Sequence, residues 1–295
     1  MATTNSLGGE KGTLLLGGEK GTLLLLTYSF GWIPCSAMPR TARAIEAGLI
    51  YHVLNRGNGR LSLFRTPEDF DAFERILAEG LERYPVDLFT WCLMGNHWHL
   101  VVRPGTDGAL AGLMGWVGVT HVRRHHAHYR TSGGGHLYQG RYKSFPVQAD
   151  GHFLTLCRYV EANPLRAKLV RRAEDWRWSG LARREGRAGR VGRVGRVGRE
   201  GREGRGGSEG RGGSAGRAGG VIVPSDWPMD RPRNWGALVN EPIAPRQADQ
   251  ICTSIRRERP LGTDAWVSTI AKRLKLEWTL RDRGRPRKDV KGEKE

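Results

Sequence analysis

A hairpin signature in the middle of the chain constrains the fold more than any other sequence feature. Two segments rich in β-forming residues, 86–94 (VDLFTWCLM) and 97–103 (HWHLVVR), are separated by the turn dipeptide Gly95-Asn96. A connection this short joins neighbouring antiparallel strands, whereas parallel strands need a crossover of a dozen residues or more. The sequence therefore predicts that these two segments form an antiparallel hairpin.

The segments that flank the hairpin predict one helix and one further strand on each side. Thr66 has the features of a helix cap, with Pro67 at the first helical position. The predicted elements are a strand at 50–55, a helix from 67 to about 84, a helix at 109–128, a strand at 141–148 and a helix from Asp150 to about Ala162. This β-α-β-β-α-β order plus a helix predicts an α+β fold, with a ferredoxin-like antiparallel sheet and helices on one face.

Changes in composition divide the chain into four segments. Residues 1–38 contain a tandem GGEKGTLLL repeat and read as a low-complexity N-terminal extension, and residues 39–184 form the compact α/β domain. Residues 185–220 repeat Gly and Arg and have nothing to bury, which predicts a flexible, disordered linker. Residues 221–295 predict a smaller, basic C-terminal helical region, including a helix that starts at Thr263 or Asp264.

The charge of the chain indicates a polyanionic partner. Its 48 Lys and Arg residues against 30 acidic ones give a net charge of +18. Nucleic acid is the first expectation and an anionic membrane surface the second, while no apolar run is long enough to span a bilayer. The four cysteines form no CxxC pair, which favours neither a disulfide framework nor a zinc site and fits a reducing, cytoplasmic setting.

The triplet His97-Trp98-His99 is the sharpest local motif. Alternate residues of a strand share a face, so both imidazoles point the same way and Trp98 points to the other side. Two such imidazoles can bind one metal ion. A structural or surface histidine pair is the alternative, because this spacing is common by chance.

A second motif lies at 157–170 (CRYVEANPLRAKLV). Tyr159 and Asn163 are four residues apart and would share one helix face, from which both could approach the histidine pair. Two plainer interpretations stay open. Asn163 could cap a new helix that has Pro164 in its first turn, and Tyr159 could be a half-buried packing residue.

Together, GNHWHLVVRP and YVEANPLRAKLV resemble the motifs of single-tyrosine HUH transposases, and within that family the chain looks most like the REP-associated tyrosine transposases. The likeness covers roughly residues 39–184, which makes this the expected catalytic domain. The resemblance implies a ferredoxin-like core, a divalent ion on His97 and His99, Tyr159 as the nucleophile, and Asn163 as a further metal ligand.

The function implied by this resemblance is that of a metal-dependent single-strand DNA endonuclease and strand transferase. Attack by Tyr159 would give a covalent 5′-phosphotyrosine and a free 3′-hydroxyl, on single-stranded or hairpin DNA. Imidazole and amide ligands suit Mg²⁺ or Mn²⁺. Such a protein would act in the cytoplasm, associated with the nucleoid, as a monomer or a homodimer.

Basic residues in three places are predicted to contact DNA. Arg123 and Arg124 lie on the second helix, beside several histidines, and offer a face for phosphates or a plain solvated face. The fourth strand carries Arg141 and Lys143. The terminal motif RGRPRK supplies Arg283, Arg285 and Arg287, either as a minor-groove hook or as a disordered basic tail.

Three alternatives to the transposase hypothesis remain at this stage. The first is a DNA-binding protein that has kept the fold and lost catalysis. The second is an RNA-binding protein, although the sheet lacks the aromatic-rich strands of the common RNA-recognition module. The third is a replication or conjugation nickase with the same chemistry.

Overall fold

A four-stranded antiparallel sheet organises the protein. The computed structural model describes residues 43, 45–187 and 222–281. The strands are β1 (Ile50–Arg56), β2 (Val86–Met94), β3 (His97–Pro104) and β4 (Lys143–Val147), in the order β2-β3-β1-β4. All three neighbouring pairs are antiparallel. This arrangement confirms the predicted α+β fold with an antiparallel sheet, and it contains the predicted β2–β3 hairpin.

The two helices of the β-α-β-β-α-β unit cover one face of the sheet. Helix α1 (Pro67–Arg83) begins with a capping box between Thr66 and Asp69, and α2 (Ala109–Tyr129) packs against α1. Trp91 of β2 donates a hydrogen bond from Nε1 to Glu74 of α1, at 3.0 Å. Odd and even residues of a strand point to opposite faces, so this contact identifies the α1 side.

Helix α3 (Gly151–Glu161) crosses the opposite face of the sheet. Asp150 caps it, as predicted, by accepting a hydrogen bond from the backbone N–H of His152 at 2.8 Å. Thr90, next to Trp91 in β2, donates from Oγ1 to the Glu161 carboxylate at the end of α3. A short helix, α4 (Asn163–Arg166), follows directly. The sequence predicted helices on one face of the sheet, whereas in the structure α1 and α2 cover one face and α3, with the tyrosine motif, covers the other.

The later part of the chain packs on the α3 side. Its helices are α5 (Gly180–Arg184), α6 (Trp235–Asn240), α7 (Pro245–Arg257) and α8 (Asp264–Arg273), the last capped by Thr263 as predicted. Trp235 donates from Nε1 to Glu161 Oε2 at 2.6 Å, and Trp235 and Val239 join the main hydrophobic core. Burial against α3 therefore fixes this segment beside the tyrosine motif.

Several predictions on the organisation of the chain stay as predictions. The N-terminal extension 1–38 and nearly all of the Gly/Arg linker 185–220 lie outside the described residues. The boundaries of the four segments therefore stay predictions from composition. In the ranges 45–187 and 222–281, no helix is both long enough and apolar enough to cross a membrane.

Candidate active site

The two histidines of the HxH motif lie side by side on the α3 face of the sheet. His97 and His99 project from β3, between β2 and β1, opposite Met94 and Cys92 of β2. Their ring centroids are 5.0 Å apart and the rings are nearly perpendicular. Trp98 is buried on the other face and donates from Nε1 to the Tyr138 hydroxyl at 3.1 Å. The strand alternation inferred from the sequence is present.

Neighbouring side chains engage the Nδ1 atom of each motif histidine. The amide oxygen Oδ1 of Asn96 lies 2.7 Å from Nδ1 of His97. Since that oxygen can only accept, Nδ1 of His97 carries the proton and Nε2 keeps its lone pair. Nδ1 of His99 lies 2.9 Å from Nε2 of His52. Nε2 of His97 is thereby available as a metal ligand, and Nε2 of His99 is available in the tautomer in which its Nδ1 donates to His52.

Burial keeps the histidine pair neutral. Burial, together with the smaller effect of the Arg56 and Arg166 charges, lowers the pKa of His97 to about 4. Burial also holds the pKa of His99 well below its usual range, with smaller contributions from the neighbouring histidines and arginines. A neutral imidazole is the form that binds a metal. The two histidines are therefore in the neutral state that binding of a divalent ion requires.

His52 belongs to this site, and the sequence motifs did not identify it. It lies in β1, is fully buried, and stacks on His99 with 5.0 Å between ring centroids and 12° between the planes. Burial lowers its pKa to about 3. The histidine was visible within the predicted strand IYHVLN, but only the pairing of β1 with β3 places it beside His99.

Tyr159 lies on α3 and is almost completely covered, with 7% of its surface exposed. Its hydroxyl is 3.9 Å from Sγ of Cys252 in α7, and the guanidinium of Arg166 lies 3.9 Å from its ring centroid. Burial raises the pKa of Tyr159, while the positive charge of Arg166 and a hydrogen bond from it act in the opposite direction. The phenol thus has a cation beside it.

Asn163 does not cap a helix. It is the first residue of α4, where Ala162 takes the cap position without a side-chain bond. The Nδ2 group of Asn163 donates to the Val160 carbonyl at 3.3 Å, and its Oδ1 accepts from Arg166 at 3.0 Å. The oxygen expected to ligate a metal is therefore bound to a guanidinium. The capping alternative was wrong, and the ligand role stays a prediction.

Two histidines and an amide make up the candidate ligand set. Among the residues that the structure describes, no group of three or more His, Cys, Asp or Glu side chains could hold a metal ion. The imidazole pair would thus supply two ligands, and Oδ1 of Asn163 would supply a third through the lone pair that Arg166 does not use. Water or a DNA phosphate oxygen would fill other positions on an ion of this kind.

The predicted DNA-binding residues differ in their surroundings. Arg123, Arg124 and Arg141 are exposed, while Lys143 is half-buried and donates from Nζ to the Ile255 carbonyl at 3.3 Å. His121 and His125, which neighbour Arg123 and Arg124 in sequence, are buried with lowered pKa values caused mainly by burial. They add no positive charge to a phosphate-binding face. The terminal residues Arg283, Arg285 and Arg287 lie outside the described residues.

The segment after the linker shapes the region around Tyr159. Arg158, the residue before it, donates to three backbone carbonyls, that of Leu238 in α6 and those of Glu241 and Pro242 between α6 and α7. This anchor holds α7, and with it Cys252, against the tyrosine. The sequence did not predict α7, although Pro245 at its first position is a start signal.

Part of the chain matches a known family model. The model of the family described as "Transposase IS200 like" matches residues 46–163, which include His97, His99, Tyr159 and Asn163. No curated protein matches the chain.

Two solved structures are similar at low scores. The REP-associated tyrosine transposase bound to a REP hairpin is 16% identical, with a TM-score of 0.40, and the match covers 50% of this chain and 85% of that one. A transposase candidate from Deinococcus radiodurans R1 is 17% identical, with a TM-score of 0.31, covering 41% and 95%. Neither structure assigns a role to a residue at these scores, and the similarity to IS200-like transposases is carried by the family model, which matches residues 46–163 of this chain.

Proposed function

We propose that this protein cleaves and rejoins single-stranded DNA in a metal-dependent reaction, with Tyr159 as the nucleophile. The observation that carries the proposal is the arrangement of His97 and His99. Their Nδ1 atoms are engaged by Asn96 and His52, they are neutral, and they lie on the face crossed by the helix of Tyr159. This is what a divalent-ion site beside a tyrosine nucleophile requires.

In the proposed reaction, the Oη atom of Tyr159 attacks the scissile phosphorus. The Oη–P bond forms as the P–O3′ bond breaks, which leaves a 5′-phosphotyrosine and a 3′ hydroxyl. The phenolic proton passes to water, and the leaving 3′ oxygen takes a proton from water. A bound Mg²⁺ or Mn²⁺ supplies Lewis-acid stabilisation of the phosphate charge. Attack by the 3′ hydroxyl of another strand on the phosphotyrosine reverses these bond changes and joins the strand.

The partner we propose is DNA with a hairpin or a single-stranded flank. The IS200-like family supports DNA as the partner, and the net charge of +18 is consistent with it. The similar REP-associated transposase was solved with a REP hairpin, which suggests the substrate to test first. Action in the cytoplasm on the nucleoid, and assembly as a monomer or a homodimer, stay predictions.

A covalent-adduct assay tests the proposal. The substrates are single-stranded hairpins with their flanks, taken from repeats next to the gene, incubated with Mn²⁺ or Mg²⁺. A label at the 3′ end should migrate with the protein on a denaturing gel, and a 5′-labelled fragment should end in an extendable 3′ hydroxyl. Tyr159→Phe should bind DNA without forming the adduct, and His97→Ala should lose metal-dependent cleavage.

A binding protein without catalytic activity is the second candidate. It is favoured by the near-complete burial of Tyr159 and by the contact of its hydroxyl with Cys252. In that case the wild-type protein would bind hairpins tightly and give no adduct with either metal. Tyr159→Phe would then be indistinguishable from wild type in every measurement.

A further inference from the structure

Arg166 connects the predicted nucleophile with the predicted metal site. Its guanidinium lies 3.9 Å from the centroid of the Tyr159 ring and donates from Nη2 to Oδ1 of Asn163 at 3.0 Å. Its positive charge also lowers the pKa values of His97 and His99. One side chain thus contacts Tyr159 and Asn163 and acts on the two histidines through its charge.

The position of Arg166 follows from the local chain. Asn163 and Arg166 are the first and last residues of α4, three positions apart, so their side chains share one face of the turn. Arg166 as a residue is exposed although Tyr159 and Asn163 are buried. Arg166 is therefore the member of this group that solvent, and with it a DNA phosphate, can reach.

Among the described residues, no acidic side chain neutralises the charge of Arg166. In residues 45–187 and 222–281, no carboxylate forms a salt bridge with it, whereas Arg183 and Arg184 nearby in sequence pair with Glu74 and Glu161. A guanidinium offers five N–H donors in a planar fork that matches phosphate oxygens. The contacts with the Tyr159 ring and with Asn163 hold this fork in place and leave further donors for an anionic substrate.

We propose that Arg166 is a catalytic residue of this strand-cleaving reaction, stabilising the negative charge that develops on the Tyr159 oxygen and on the attacked phosphate. This inference rests on the proposed function. The phosphate gains charge as the Oη–P bond forms and the P–O3′ bond breaks, and a preoriented cation beside it stabilises that state more than the starting state. Arg166 donates hydrogen bonds throughout and transfers no proton.

The proposed role of Arg166 is tested by measuring the single-turnover rate of adduct formation with saturating labelled hairpin and Mn²⁺. The variants are Arg166→Ala and Arg166→Lys, with Arg171→Ala as a control that removes an equal charge from an exposed position. Arg166→Ala should slow adduct formation by about 100-fold or more, as loss of one charge-stabilising donor does. Arg166→Lys keeps the charge and loses the fork, so its rate should lie between the two.

Added guanidinium ion distinguishes a chemical role from a structural one. It should restore part of the rate of Arg166→Ala in a saturable manner and leave wild type and Arg171→Ala unchanged. The hairpin Kd of Arg166→Ala, and its Mn²⁺ affinity by calorimetry, should stay within a few-fold of wild type. Thermal unfolding shows whether each variant is folded.

Two results would overturn the inference. One is an unchanged adduct rate in Arg166→Ala at saturating DNA. The other is a loss that is confined to the hairpin Kd and is matched by Arg171→Ala, because Arg166 would then be a general phosphate contact. Failure of the proposed function is separate from both, since the wild-type protein itself would give no adduct.

Discussion

The Nε2 atom of His52 lies 2.9 Å from the Nδ1 atom of His99, and the two rings stack with 12° between their planes. A histidine that ligates a metal through Nε2 is commonly oriented by a partner on Nδ1. We therefore expect His52→Phe, which keeps a buried ring and removes the hydrogen bond, to weaken Mn²⁺ binding by about 10–100-fold. Calorimetric titration measures this.

A control for that variant is available on the opposite face of the sheet. His125 of α2 is also a buried histidine, so His125→Phe removes an imidazole from the same fold at a site away from β3. It should leave Mn²⁺ affinity unchanged. Equal loss of affinity in both variants would show that His52 contributes through general stability and not through His99.

The buried neutral histidines should make the fold sensitive to acid. In the unfolded chain a histidine titrates near 6.5, whereas burial lowers the pKa of His52 to about 3 and of His97 to about 4 in the folded protein. Between these pH values the unfolded state binds more protons than the folded state. The contribution of the neutral histidines to the free energy of unfolding is therefore fully present above about pH 6.5 and falls as the pH drops towards about 4.

The expected slope is about 1.4 kcal/mol per pH unit for each such histidine. Urea unfolding at pH 7.5, 6 and 5 measures it. In His52→Phe, the free energy of unfolding should depend less steeply on pH, by about the contribution of one histidine. A free energy of unfolding that does not change between pH 7.5 and 5 would contradict the neutral assignment of these rings.

The contact between Cys252 and Tyr159 predicts that alkylation blocks cleavage. Cys252 is partly exposed and its Sγ lies 3.9 Å from the Tyr159 hydroxyl, whereas Cys92 and Cys157 are buried. N-ethylmaleimide on Cys252 should fill the approach to the hydroxyl and stop adduct formation. Cys252→Ala should form the adduct and resist the reagent, and Cys35→Ser should remain sensitive, which assigns the effect to Cys252.

Arg124 and Lys143 should respond differently to substitution, although both were predicted as DNA contacts. Arg124 is exposed, so Arg124→Ala should weaken hairpin binding. It should also reduce the magnitude of the slope of log binding constant against log salt concentration by about one. Lys143 donates to the backbone carbonyl of Ile255 near the end of α7. Lys143→Ala should lower thermal stability and leave that slope nearly unchanged in fluorescence anisotropy titrations.

Much of the fold could be predicted because its signals are local. The turn at Gly95-Asn96 and the β-forming segments beside it determined the β2–β3 hairpin, and the caps at Thr66 and Asp150 determined where α1 and α3 begin. Strand alternation also determined that His97 and His99 share a face. Each of these features depends on residues within a few positions of one another, for which backbone geometry leaves few choices.

The surroundings of the candidate site were decided only by tertiary structure. The pairing of β1 with β3 brings His52 to His99 across 47 positions, and the docking of α7 brings Cys252 to Tyr159 across 93. Asn163 shows the same limit, because its amide could have capped a helix or faced a metal, and in the structure it binds Arg166. The sequence selected the chemical groups, and long-range packing determined which of them meet, because contact between distant segments depends on how whole elements bury their surfaces together.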